Sequence, residues 1–166
     1  RTVDLRMVAD VPLGSMLSGG IDSALITALM QAQSAAPVKT FTIGTEDKAT
    51  NEGDHAREVA RALGTDHTEL MVTAADIRAI VPALPRMNDE PFAADSQSPV
   101  HLISQLARRS VTVALSGDGG DELFGGYNRY FYGPSLWRRA KSLPGPLRAL
   151  ASRSEEHTSE LQSHSF

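Results

Sequence analysis

Hydrophobic positions in this chain switch repeatedly between the two-residue period of strands and the three-to-four-residue period of helices. This predicts an α/β fold, a parallel sheet with flanking helices. Arg6 to Leu17 lead into a buried strand that ends just before Ser18. Asp22 to Gln33 carry Leu25, Ile26, Ala28, Leu29 and Met30, enough apolar surface for a buried helix. After Pro37, Val38 to Ile43 alternate as a strand that breaks at Gly44. Ala56, Val59, Ala60 and Leu63 fall at i, i+3, i+4 and i+7, one apolar helix face, with Gly64 as its C-terminal cap. His67 to Thr73 read as a further strand, and Ile77, Ile80, Val81 and Leu84 mark a helix capped by Asp76. Ser98-Pro99 start another helix, because proline at the first helical position loses no needed hydrogen bond. That helix runs through Leu102, Ile103 and Leu106 toward Arg108 and Arg109. Val111 to Leu115, short, apolar and β-branched, read as a central strand.

Two of these strands empty into glycine-rich turns that carry acids, Ser18-Gly19-Gly20-Ile21-Asp22-Ser23 and Ser116-Gly117-Asp118-Gly119-Gly120-Asp121. Ligands of open α/β sheets sit beyond the carboxyl ends of strands, so both turns are expected at one crevice. In the first, absent Cβ atoms let an anion approach backbone N–H groups at the positive end of a helix, which suits phosphate. Asp22 would repel that phosphate unless a cation such as Mg²⁺ bridges them. A tight turn beside a helix start is the plainer alternative for six such residues alone. Neither a Gly-x-x-x-x-Gly-Lys-[Ser/Thr] loop nor a Gly-x-Gly-x-x-Gly turn between strand and helix is present. The second turn concentrates Asp118, Asp121 and Glu122. By itself it could be a solvated acidic turn, but paired with the first it reads as a Mg²⁺ and substrate site.

Composition adds three exclusions. No apolar run approaches the roughly 18 residues of a membrane span, and a net charge of -4 gives no global field favouring nucleic acid, so neither is expected as a partner. The absence of cysteine removes disulfides, thiolate metal sites and cysteine nucleophiles from these 166 residues. His55, His67 and His101 show no metal-ligand spacing, and Tyr127, Tyr130, Phe131, Tyr132 and Trp137 read as core or domain-interface packing. Neither an initiator Met nor a signal-peptide core opens the chain, which reads as a cut, with a cytoplasmic origin expected.

Ser18 to Ser23 resemble the SGGxDS signature of the ATP pyrophosphatase, or PP-loop, group, whose members cleave ATP between the α and β phosphates. Within that group the chain is most similar to the synthetase domain of glutamine-hydrolysing asparagine synthetases. Ala9 to Gly14 leading into Met16 to Ser23 resemble that family's approach to the loop, and Phe41 to Gly44 its second strand. Glu58-Val59-Ala60 with Leu63 to His67 resemble the helix and turn that follow, and Ser116 to Tyr127 its second signature loop. The resemblance runs from Arg6 to Trp137.

It implies an adenine nucleotide alpha hydrolase-like (PP-loop) fold, truncated, with the two loops closing on one ATP. By motif position Ser18, Gly19, Gly20 and Ser23 would hold pyrophosphate, and Asp22 and Asp121 would bind Mg²⁺. Met16 and Ile43 would contact adenine, while Ser116 and Gly117 would line the opposite side of the nucleotide. Asp118, where some members carry Glu, would serve as the catalytic base. The implied substrates are ATP, aspartate and ammonia, through β-aspartyl-AMP, with ammonia supplied by an N-terminal glutaminase domain. Asp89-Glu90-Pro91-Phe92 and Asp95-Ser96-Gln97 resemble the segment that approaches the amino acid. A related amidotransferase or β-lactam-type synthetase, or a nucleotide-binding piece without turnover, remain alternatives. Arg153 to His164 resemble translated sequencing-adapter sequence, so residues 1–152 are expected to form a partial synthetase domain and 153–166 a non-native tail.

Overall fold

A computed structural model describes residues 1–46, 51–88, 90, 94, 96–142 and 144. The expected tail and Asp89, Pro91, Phe92 and Asp95 lie outside the described residues. The described residues fall into two units that divide between Asp118 and Gly119.

The first unit runs α1 (Thr2–Arg6), β1 (Leu13–Met16), α2 (Ile21–Gln33), β2 (Lys39–Thr45), α3 (Gly53–Leu63), β3 (Asp66–Val72) and α4 (Ala74–Ile80). A 3₁₀ turn (Val81–Ala83), α5 (Leu84–Met87), α6 (Gln97–Arg108) and β4 (Val113–Leu115) follow among the described residues. The four strands form one sheet in the order β3-β2-β1-β4, and every pairing is parallel. Successive side chains of a strand face opposite ways, so Met16, paired with Phe41, faces away from Ser15. On the Phe41 side, Leu106, Ala107 and Val111 complete a buried cluster flanked by Met16, Leu70 and Ile103, which seats α6. On the other side Val3, Met30 and Val38 pack with Met7, Ile26 and Leu115, and Leu17 packs with Ala56 and Ala60. Helices α1, α2 and α3 thus cover the second face.

Several boundaries differ from the sequence pattern. Residues 2–6, before the expected strand, form α1, and the strand itself is confined to Leu13–Met16. Strand β2 continues through Gly44 to Thr45, because pairing with β3 extends from Gly44 to Met71 and from Thr45 to Val72. Helix α2 buries Ser23, Thr27 and Met30 while Leu25 and Leu29 are exposed, so its sheet-facing side is largely small and polar. The cap of α4 is Thr73, whose hydroxyl accepts the Asp76 N–H at 3.2 Å while the Asp76 carboxylate takes the Thr73 N–H at 2.8 Å. Asp76 is thus the third helical residue, closing a capping box, rather than the cap. Pro82 and Pro85 follow, and the apolar pattern that suggested one helix is divided into α4, the 3₁₀ turn and α5. Helix α6 begins at Gln97 with Ser96 as cap, which still leaves Pro99 in the first turn. Gly64 does cap α3, at φ 70°. Among the described residues β4 is an edge rather than a central strand, with Val113 42% exposed.

The second unit holds α7 (Gly120–Phe124) and α8 (Asn128–Ser142). No residue of α8 is buried, so its aromatic rings do not form a core. Among the described residues no helix is long and apolar enough to cross a membrane.

Candidate active site

Chain order decides where a ligand would sit. From β1 the chain moves outward through β2 to β3, then returns to place β4 on the opposite side of β1. The carboxyl ends of β1 and β4 therefore flank a topological switch point, where open α/β sheets form their crevice. The pairings Leu13 with Val113 and Ser15 with Leu115 keep those two ends level. The turns at Ser18 and Ser116 consequently leave the sheet side by side. At Gly117 they touch: a Cβ there would stand 2.6 Å from the Ser23 nitrogen and 2.9 Å from the Asp22 carbonyl carbon.

The first turn starts where β1 leaves the sheet, with the Leu17 N–H still bonded to the Phe41 carbonyl at 2.9 Å. Gly19 has φ +82°, and a Cβ on it would meet the Ala56 nitrogen at 2.7 Å and the His55 Cβ at 2.8 Å. Only glycine fits between this turn and α3. Gly20 caps α2, and its open side carries nothing closer than the Ser18 hydroxyl at 3.4 Å. The Ser23 hydroxyl accepts the Ser18 N–H at 3.2 Å, lies 2.9 Å from the Ser18 hydroxyl and can give its proton to the Gly20 carbonyl at 3.2 Å. The first-turn N–H groups of α2 have no partner within the helix and carry the positive end of its dipole. The result is a turn fixed from behind and open in front, a geometry suited to an anion.

The second turn is tied by one side chain. The Ser116 hydroxyl donates to the Asp118 carboxylate at 3.0 Å and accepts the Asp118 N–H at 3.4 Å, leaving Asp118 exposed beside Gly117. Met16 ends β1 and Ile43 lies near the end of β2, both half-buried at the carboxyl edge of the sheet. Met16, Ser18, Gly19, Gly20, Asp22, Ser23, Ile43, Ser116, Gly117 and Asp118 therefore all lie along the carboxyl edge of β1, β2 and β4.

A family model for asparagine synthase matches residues 1–165. The chain belongs to the asparagine synthase family. It is 40% identical over 129 residues to asparagine synthetase [glutamine-hydrolyzing] 1 of Bacillus subtilis, a match covering 78% of this chain and 20% of that protein. The chain thus spans about a fifth of the length of that relative. Among solved structures it resembles the NH3-dependent NAD synthetase of Campylobacter jejuni, with TM-score 0.52 and 18% identity over 76% of this chain and 56% of that one. It also resembles the NMN synthetase of Francisella tularensis, with TM-score 0.51 and 16% identity over 77% of this chain and 55% of that one. The parallel sheet with flanking helices is the adenine nucleotide alpha hydrolase-like fold expected of this family.

Asparagine synthase family membership also frames the acids. Asp22 is half-buried in the first turn of α2 and forms no ion pair among the described residues. No cluster of three or more His, Cys, Asp or Glu side chains suited to a metal occurs among the described residues. Mg²⁺ is compatible with so spare a donor set, since it keeps waters and takes one or two carboxylates together with substrate phosphates. In the second unit, Asp121 lies in the first turn of α7, its carbonyl accepting the Gly126 N–H at 3.0 Å and its carboxylate packed where a Cβ of Gly126 would stand. Next to it the Tyr127 hydroxyl donates to Glu122 at 2.6 Å, with the Arg129 guanidinium 4.1 Å from the centre of the Tyr127 ring. That hydrogen bond holds the Glu122 carboxyl below its usual range and raises the Tyr127 phenol.

Two features escaped the sequence pattern. His55 adjoins Gly19, a contact between positions 36 residues apart that no local spacing reveals. Ser15, Thr27 and Thr42 are fully buried hydroxyls around the first turn, though their residue types suggest only strand or helix filler. His67 lies at the far edge of the sheet. Its Nδ1 meets the Thr40 hydroxyl at 2.9 Å, its Nε2 is buried without a partner among the described residues, and burial pushes its pKa down.

Proposed function

We propose that this chain is the ATP-binding part of an asparagine synthetase that activates aspartate as β-aspartyl-AMP. The observation carrying the reading is the contact of Gly117 with Ser23 and Asp22, which joins both family loops at the switch point. A side-chain carboxylate oxygen of aspartate bonds to the α-phosphorus of ATP, the bond to the bridging α–β oxygen breaks, and pyrophosphate leaves. Ammonia then attacks the activated carbonyl, AMP departs with its bonding electrons, and a proton passes to the Asp118 carboxylate. Ser18, Gly19, Gly20 and Ser23 hold the departing pyrophosphate through backbone N–H groups and hydroxyls. Fixed donors aimed at developing charge are where electrostatic catalysis is largest. Met16 and Ile43 contact adenine, and Ser116 and Gly117 line the other side of the nucleotide. Asp22 would hold Mg²⁺, which would neutralise charge building on the leaving phosphates, and Asp121 would serve as a metal ligand by its place in the second signature loop. An N-terminal glutaminase domain of the full-length protein supplies ammonia, in the cytoplasm.

Calorimetry of this chain with ATP and with pyrophosphate, each with and without Mg²⁺, tests the reading. Both ligands are expected to bind in a Mg²⁺-dependent manner, and Asp22→Asn to weaken pyrophosphate about tenfold or more through loss of a charged metal contact. A chain that binds neither ligand would refute it.

A further inference from the structure

Where α2 and α3 cover the sheet, the buried side chains include four hydroxyls. Ser15, Thr27 and Thr40 are 0% exposed and Thr42 is 2% exposed. A buried hydroxyl is costly unless it finds a partner, so the partners show what each one does. The Thr42 hydroxyl donates to the carbonyl of Leu17, the residue at which β1 leaves the sheet. The Thr27 hydroxyl donates to the Ser23 carbonyl at 2.8 Å and lies 2.9 Å from the Ser15 hydroxyl. Since the proton of Thr27 is used on Ser23, the Ser15 hydroxyl supplies the proton between the two. Leu17 and Ser23 stand at either end of the glycine turn.

An anion cradle works only if its N–H groups face the anion and its carbonyl oxygens, which repel it, face elsewhere. A threonine that bonds the carbonyl four residues earlier is ordinary within helices, but here Ser15 of β1 backs that bond from the sheet. Thr42 has no such local reason, its partner being 25 residues away in sequence. We propose that Thr42 and Thr27 are positioning residues that hold the Leu17 and Ser23 carbonyls toward the core, so that the N–H groups between them face phosphate. The inference rests on the phosphate-binding role of the turn proposed above.

The test compares Thr42→Val, which keeps shape and loses the donor, with Thr42→Ser, which keeps the donor. The readouts are pyrophosphate affinity in Mg²⁺ by calorimetry and the amide ¹H–¹⁵N shifts of Gly19 and Gly20. Thr42→Val is expected to weaken pyrophosphate about tenfold and to move both glycine shifts, with Thr42→Ser near the parent in both, as one buried hydrogen bond warrants. Thr27→Val and Thr27→Ser should follow the same pattern. If a valine variant does not fold, Thr42→Ala against Thr42→Ser replaces it, the pair differing in the hydroxyl alone. A folded variant lacking the hydroxyl, with parental affinity and unmoved glycine shifts, overturns the proposal. Failure of the parent itself to bind pyrophosphate instead overturns the functional reading, and this inference with it.

Discussion

Gly117→Ala is the sharpest probe of the crevice, because its effect follows from one distance. The new methyl would stand 2.6 Å from the Ser23 nitrogen, where ordinary contact begins at 3.4 Å, so the two turns must part by about 0.8 Å. The opposing atoms are the Ser23 nitrogen, the Asp22 carbonyl carbon and the Ser23 Cα, all backbone at the start of α2, and none can swing aside as a side chain would. Overpacking of this kind costs about 1–3 kcal/mol. Urea unfolding should show that loss, and calorimetry should show ATP binding weakened about tenfold, since both walls of the proposed nucleotide site move. Gly20→Ala is the control. Its methyl would meet only the Ser18 hydroxyl, at 3.4 Å, so stability should change by no more than about 0.5 kcal/mol while a phosphate crossing that face is displaced. Parental stability and parental ATP affinity in Gly117→Ala would show that the turns do not meet.

Two further outcomes are expected. In the full-length protein, Asp118→Asn should leave ATP affinity unchanged and lower asparagine formation from ammonia by about 10²- to 10⁴-fold, with Asp118→Glu retaining substantial activity. An unaltered rate in Asp118→Asn would remove Asp118 from the chemistry. Burial depresses the pKa of His67, so the unfolded chain takes up this proton first as pH falls below about 6.5. The contribution of neutral His67 is therefore full above that pH and lost as pH falls through the folded value. NMR titration should place the His67 midpoint below about 6.5, and the urea midpoint should fall between pH 7 and 5 less steeply in His67→Gln; a midpoint at or above 6.5 would contradict the burial argument.

Local pattern disclosed those parts of the molecule that depend on local chemistry. The apolar face of Ala56, Val59, Ala60 and Leu63 made α3 legible, and a glycine turn after an apolar run marked the first loop at Ser18. Pairing order was not legible. Val111 to Leu115 looked central because an apolar, β-branched run reads alike in the middle of a sheet and at its edge, and only contacts with distant strands distinguish them. The same limit hid the contact of Gly117 with Ser23 and of Gly19 with His55, each a matter of backbone approach across the fold. Thr42 was legible as a strand residue but not as a donor to Leu17, since nothing in residue type tells which way a hydroxyl will be used.

The unequal support of the two turns has a mechanical consequence. One springs from β1, which has a strand on either side and helices over it; the other springs from three residues of β4, which among the described residues is paired along one side alone. Local opening is easiest where pairing is sparse, so amides of β4 should exchange with solvent well before those of β1. A nucleotide would then meet one rigid wall and one compliant wall, and part of its binding free energy would be absorbed in stiffening the second. Any segment that paired with the open side of β4 would do that stiffening in advance, tightening the grip on nucleotide without touching it.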